Sequence, residues 1–274
     1  MTERVRFRPF TGTADKSVRL TDPPLAMVLC QVRWPALTTL STPDQSLFRT
    51  AAFRFGEALP DFPLISETKS VNYVITPNGI TAGEGGSVFQ WSSVDGFWHV
   101  SLAAQFMSLY CTCYDGYETF EARLRPTLEV LRDALQIQLV DKVAIRYVNR
   151  LSDPNDIANL TQLIDAAVLG YPALSQQLPL RSTNQATYRV DDVTLQVRSG
   201  MIPAGETVDP AIAPVTEQSW ILDLDASQEA TQLLDTETVL KLASRLSDTG
   251  YDYFAHFIAN EAFVARFSSG GSPS

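Results

Sequence analysis

The chain is poor in the residues that do acid–base and nucleophilic work, with two histidines and three cysteines among 274 residues. Cys30, Cys111 and Cys113 are odd in number, and two of them lie one residue apart on a predicted strand. That spacing suits neither a disulfide framework nor a C-x-x-C metal site, so buried, reduced thiols are expected. Positive charge is also scarce: 21 Lys and Arg stand against 31 Asp and Glu, a net charge of −10. Affinity for DNA or RNA comes mainly from cations that neutralise phosphates, so direct nucleic-acid binding is not expected. No uncharged apolar run is long enough to span a bilayer, and residues 1–20 alternate arginine with polar residues without the apolar core of a secretory leader. These absences predict a cytoplasmic protein with no membrane partner.

Complete catalytic motifs are missing as well. His99 and His256 have no H-E-x-x-H or H-x-E pattern and no nucleophile elbow beside them. Gly83, Gly85 and Gly86 lack the Lys and Ser/Thr of a phosphate-binding loop, so residues 83–87 read as a flexible hairpin loop. No cofactor is implied.

What the sequence does contain is the pattern of an ordinary globular core, with 45% apolar residues. A chain of this length buries about three quarters of the surface its unfolded form exposes. Residues 25–34 alternate as a half-buried strand stopped by Pro35. A helix follows, with Thr42, Pro43 and Gln45 as its capping box and Leu47, Phe48, Ala51, Ala52, Phe55 and Leu59 on one face. A strand at 71–76 ends in a Pro77-Asn78-Gly79 turn. The strands at 88–92 and 97–103 are joined by Val94-Asp95-Gly96, and 106–113 continues the meander. A helix beginning at Asp115, with Glu118 at the capping-box position, carries Phe120, Leu124, Leu128, Leu131 and Leu135, and Pro126 is expected to kink or divide it.

The second half repeats this order. A strand at 142–151 leads to a helix capped by Asp153 and closed by Gly170, then strands at 186–190, 193–199 and 220–225, then a helix at about 236–258. The class expected is α+β, antiparallel sheet with helices on one face. An internal duplication of a strand–helix–meander–helix unit would place Trp98 and Trp220 in equivalent strands. The domain boundaries expected are a tail at 1–22, a first α+β half at 23–138, a second at 139–267 packed with the first as one unit, and a disordered tail at 268–274.

Several local patterns occur together: Gln31-Val32-Arg33-Trp34-Pro35 after Pro24-Leu25, then Phe89, Ser92 and Asp95, then Tyr114 with Tyr117-Glu118 and Phe120. Ile145-Arg146-Tyr147-Val148-Asn149-Arg150 and Leu222-Asp223-Leu224-Asp225 follow. In this order they resemble a sporadically distributed bacterial family of about this length, typified by "EVRFPP" and "RYINRI" strands. The resemblance covers most of the chain from Pro24 onward and implies no reaction, because that family has no established activity. Members often carry a histidine in the last helix, where this chain has Thr249, Gly250 and Tyr251. The family's scattered distribution suggests a mobile-element or phage-defence setting by analogy.

Two groups of polar residues invite a chemical reading. Arg33, Arg146, Asn149 and Arg150 lie within the strands that carry the resemblance, and guanidinium forks across neighbouring strands would hold a carboxylate or phosphate. The plainer reading is that they pair with surface acids. Asp223 and Asp225, two residues apart on a strand, point the same way, as a divalent cation would require. The plainer reading is the polar face of a half-buried strand. Acid is concentrated in residues 202–248, with nine acidic and two basic residues, which is either a solvated face or a docking surface for a basic partner.

The leading expectation is a non-catalytic scaffold that binds another protein, one encoded nearby, with homo-oligomer formation also open. Its alternatives are a small-anion or nucleotide-binding sensor built on the arginines, and a metal-dependent hydrolase centred on Asp223 and Asp225. Arg146 and Asn149 are also expected to be fixed by hydrogen bonds.

Overall fold

The computed structural model describes residues 6–12, 20–38, 40, 46–76, 79–175 and 177–268, the side chains of 70–76 and 79–85 excepted. In chain order the elements are β1 (Leu25–Arg33), α1 (Ser46–Glu57), β2 (Leu64–Thr76), β3 (Gly79–Ser92), β4 (Trp98–Ala103), β5 (Phe106–Cys111) and α2 (Tyr117–Leu135). The second half contributes β6 (Leu139–Leu151), α3 (Pro154–Ala158), α4 (Leu160–Leu163), α5 (Ala166–Leu169), a 3-10 turn (Tyr171–Leu174), β7 (Asn184–Val190), β8 (Val193–Ile202), β9 (Ser219–Leu233), α6 (Thr236–Phe257) and α7 (Glu261–Ser268). The nine strands make one antiparallel sheet in the order β2-β3-β4-β5-β1-β6-β9-β8-β7. The class is α+β, as the alternation of meanders and long amphipathic helices predicts.

Trp98 and Trp220 do not occupy matching places in that order. β4 is two strands out from β1, whereas β9 is the immediate neighbour of β6. The likeness around the two tryptophans is the shared alternation of any half-buried strand.

Contacts divide the chain into two compact units. One consists of Leu29–Val143 and Glu229–Leu242. Its core is aromatic: Phe48 and Phe55 of α1 meet Phe89 and Trp91 of β3 at 5.8 and 5.4 Å, and Phe120 of α2 meets Trp98 at 5.8 Å. Alternation in β4 sends Trp98, Val100 and Leu102 inward, all of them buried. Gly56 lets α1 settle on β3, because a Cβ there would lie 2.1 Å from the Trp91 indole nitrogen. The other unit consists of Met1–Val28, Ala144–Gln228 and Ala243–Ser274. Its buried core includes Ile145, Val148, Leu195, Trp220, Leu222, Leu224, Leu246, Ile258, Phe263 and Phe267.

Several local expectations are corrected. Residues 83–87 are not a loop. They belong to β3, and the long hairpin pairs Thr76 with Gly79 at one end and Leu64 with Ser92 at the other. Its register slips between Lys69 and Val71, opposite the glycines, so the glycines mark an irregularity in a strand and not its end. Pro126 does not divide α2, which runs unbroken past it. Thr127 donates its hydroxyl to the Arg123 carbonyl at 2.8 Å, one turn back. The N-cap of α2 is Gly116, with no side-chain cap, in place of the expected capping box at Asp115.

The single helix expected after Asp153 is three short ones. Asp153 does cap the first, accepting the Asn155 N–H at 2.7 Å, but Asp165 caps afresh, accepting the Ala167 N–H at 2.8 Å. Between them Asn159 turns its side chain onto the Asn155 carbonyl at 2.8 Å. Short polar side chains that bond nearby backbone compete with helix propagation, and here they win. α7 was not anticipated; Asn260 starts it by accepting the Phe263 N–H at 2.8 Å. The capping box at Thr42, Pro43 and Gln45, the turn residues Pro77 and Asn78, and residues 269–274 lie outside the described residues.

Candidate functional site

β6, β8 and β9 bring polar residues together on one sheet face, at odd positions of β9 and even positions of β6. On β9 these are Ser219, Asp223 and Asp225; on β6 they are Arg146 and Arg150. Arg198 of β8 lies opposite Asp223, and Gln196 lies opposite Asp225. Across this face runs the segment 203–218, and Arg146 ties it down. Its Nε and Nη2 donate to the two oxygens of Asp223 at 2.8 and 3.0 Å, and its Nη1 donates to Asp209 at 2.6 Å. Burial by itself would lower the pKa of Arg146, but hydrogen bonds and charge from Asp223 and Asp209 more than offset it, so the net direction is up.

Arg150, two pleat repeats along the same strand, uses neutral acceptors: Ser219 Oγ at 3.0 Å, the Ala213 carbonyl at 2.9 Å and the Glu206 carbonyl at 3.0 Å. Its pKa is shifted downward by burial. Arg33 belongs to the other unit and pairs with Asp141 at 2.9 Å. Asn149 is buried, but its side chain makes no hydrogen bond among the described residues, unlike the Arg146 it was grouped with. The strand therefore fixes Arg146 as expected and leaves Asn149 without the bond predicted for it.

Chemically, this constellation holds the chain's own loop. An anion approaching Arg146 has to displace one of two carboxylates already seated there. Asp223 is committed to Arg146, with Arg198 a further 4.0 Å contact. Among the described residues no group of three or more His, Cys, Asp and Glu is arranged to hold a metal ion. The partner that sequence reading missed is Asp209. Followed by Pro210, it reads as a turn residue, and it does accept the Ala211 N–H at 3.0 Å. Nothing in its neighbours announces a partner 63 residues away.

His99 sits in a second polar group, on β3, β4 and β5. Its Nδ1 accepts from Ser92 Oγ at 2.8 Å and from the Gln90 amide at 3.1 Å, and its Nε2 donates to the Gly96 carbonyl at 3.0 Å. Those partners select the tautomer protonated at Nε2. The ring stacks on Tyr110 at 4.5 Å, whose hydroxyl accepts the other Gln90 N–H at 2.7 Å. Burial lowers the His99 pKa, against the opposing pull of the Gly96 bond and Asp95.

The same unit ends in β2, thirteen residues long, with β3 on one side and no strand on the other among the described residues. Leu64 and Ile65 at its start are 53% and 50% exposed. Glu67 follows, and both its oxygens are taken by Arg49, at 2.9 and 2.7 Å. Phe53 of α1, also exposed, packs 5.8 Å from Phe89, the residue facing Glu67 across the hairpin. Sequence reading missed the first half of β2, because Ser66, Glu67, Thr68, Lys69 and Ser70 break the apolar alternation.

No protein-family model matches the chain, and neither the curated proteins nor the solved structures include a match. No helix among the described residues is long and apolar enough to cross a membrane.

Proposed function

We propose that the protein is a non-catalytic interaction scaffold whose binding element is the outer edge of β2. The observation that supports this reading is that β2, thirteen residues long, is the outermost strand of the sheet among the described residues and bears exposed Leu64 and Ile65. A strand edge presents a row of free N–H and C=O groups, and an extended segment of a partner adds to it by main-chain hydrogen bonding while apolar side chains set register. The other end of the sheet is less suited to this. β7 is seven residues long, and its Tyr188 is occupied by Phe10. Of the residues that a sensor or a hydrolase would use, Arg146 and Arg150 are spent on segment 203–218 and Asp223 is spent on Arg146.

The test places a photo-crosslinking residue at Ile65 and, as a control, at Leu174, which is 80% exposed in the other unit. The partner captured at position 65 is then purified and its affinity measured directly. Leu64→Lys with Ile65→Lys is expected to weaken that affinity at least tenfold. Equal capture at both positions, or an affinity that the double lysine variant leaves unchanged, contradicts the reading.

A further inference from the structure

Residues 6–12 join neither a helix nor a strand, yet they are held on α6 by charged hydrogen bonds. Asp252, in the body of that helix, accepts the backbone N–H of Phe10 at 2.6 Å and of Thr11 at 3.1 Å through one oxygen. Its other oxygen accepts the Thr11 hydroxyl at 2.5 Å. One turn earlier, Asp248 accepts the Phe7 N–H at 3.1 Å. Both aspartates are buried, Asp252 3% and Asp248 7% exposed.

The ring of Phe10 enters an aromatic nest. Tyr188 of β7 and Tyr253 stand at 5.4 Å and Phe257 at 6.1 Å, with edge-on geometry. Arg245 lies over the Phe7 ring at 4.7 Å, and Arg6 lies over Tyr251 at 4.9 Å. The segment closes as a turn, the Gly12 N–H donating to the Arg8 carbonyl at 3.3 Å with Gly12 at φ 63°. That turn points the Phe10 and Thr11 amides together at one carboxylate. Every residue named belongs to one unit.

A strap that only covered apolar surface would need no carboxylates. Two buried aspartates in mid-helix are costly unless donors meet them, so the groove is built to receive a segment that supplies amide and hydroxyl donors with an aromatic ring. The acidic pair also suits a segment carrying Arg6 and Arg8. We propose that the α6/β7 groove is a peptide-docking site, filled here by residues 6–12 as an internal ligand. Its occupant in trans is a basic segment of a partner protein with a Pro–aromatic–Ser/Thr turn. The site is separate from the β2 edge and does not depend on it. A tethered ligand acts at an effective concentration of about millimolar for a short linker, so the internal segment excludes weak competitors until it is loosened.

The experiment uses the full chain and a fluorescent synthetic peptide of residues 6–12. Phe10→Ala in the protein removes the ring that anchors the internal segment. This variant is expected to bind the peptide at least tenfold more tightly than wild type does and to regain melting temperature when the peptide is added. A peptide that itself carries Phe10→Ala is expected to do neither, and adding Asp252→Asn to the protein is expected to abolish binding. Phe10→Leu is the milder variant if Phe10→Ala does not fold. If the peptide neither binds nor restores stability in whichever variant folds, or if neither variant folds, the segment is a permanent part of the fold and the proposal is overturned. A wild-type dimer that exchanges residues 6–12 between copies overturns the partner assignment in favour of a second copy.

Discussion

The polar face of β8 and β9 and the free edge of β2 are both places where a sheet meets something other than its helices, and they are finished differently. On the first, segment 203–218 lies across the strands, and the central charge, Arg146, is bound to two carboxylates. On the second, backbone groups along one side of the strand have no strand partner among the described residues, and two large apolar side chains stand exposed. Charge density alone would have chosen the first as the working site. Commitment of the charges favours the second, because groups already saturated by the chain's own loop contribute to stability, whereas groups left open are available to a partner.

The largest effect separating the two regions is expected at Arg146. Arg146→Ala leaves Asp223, whose side chain is 5% exposed, without its two close hydrogen bonds and with only the 4.0 Å Arg198 contact. Breaking one partner of such a pair costs about 3 to 5 kcal/mol, which urea denaturation will read as a lower midpoint. Replacing both partners, Arg146→Met with Asp223→Leu, is expected to recover most of that loss. If Arg146→Ala is as stable as wild type, the cluster is not the staple that distinguishes the two regions.

At the edge the pattern reverses, with binding affected and stability spared. Leu64→Lys with Ile65→Lys is expected to change unfolding free energy by no more than about 0.5 kcal/mol per site, the usual range for surface substitutions. The same pair is expected to weaken partner binding at least tenfold. A large fall in stability would mean that the edge is packed, not open.

His99 gives a smaller, pH-dependent effect in the same unit as β2. Its folded pKa lies below the ordinary 6.5, first because burial disfavours the imidazolium, although the Gly96 carbonyl and Asp95 pull the other way. The Ser92 and Gln90 donors at Nδ1 also suit the neutral ring. The unfolded chain therefore binds the proton more readily. The contribution to stability is fully present above about pH 6.5 and is lost as pH falls from there through the folded value. Stability measured between pH 5 and 7 is expected to rise with pH, and His99→Gln is expected to flatten that slope. An unchanged slope would assign the dependence to other groups.

The smallest effect is at Glu67. Hydrogen bonds from Arg49 and Ser87 hold its carboxyl below the ordinary value, so what it contributes is present above that value and lost as pH falls through the lowered one. Arg49→Met is expected to move the Glu67 titration, followed by NMR, back upward. No movement would show that the ion pair does not form in solution.

Much of the architecture was legible where apolar periodicity was strong. Trp98, Val100 and Leu102 announce β4, and Phe120, Leu124, Leu128 and Leu131 announce α2, because burial on one face leaves a mark at every second or every third to fourth residue. The pattern failed where polar side chains decide local structure: Asn159 and Asp165 broke one helix into three, and the polar run at 66–70 hid the first half of β2. At the polar face, Asp223 was legible as a strand residue, but its pairing with Arg146 was not. That contact spans 77 residues and depends on the strand order bringing β6 beside β9. Leu64 and Ile65 carry no local sign of exposure, since only sheet order makes β2 an edge.

Amide hydrogen exchange of the free protein and of its complex with the partner captured at Ile65 compares the two regions in one experiment. The account predicts slowed exchange within residues 64–69 on binding and unchanged exchange around Asp209 and in the part of β9 that carries Asp223. Protection confined to segment 203–218 and β9, with residues 64–69 exchanging as they do in the free protein, would contradict it.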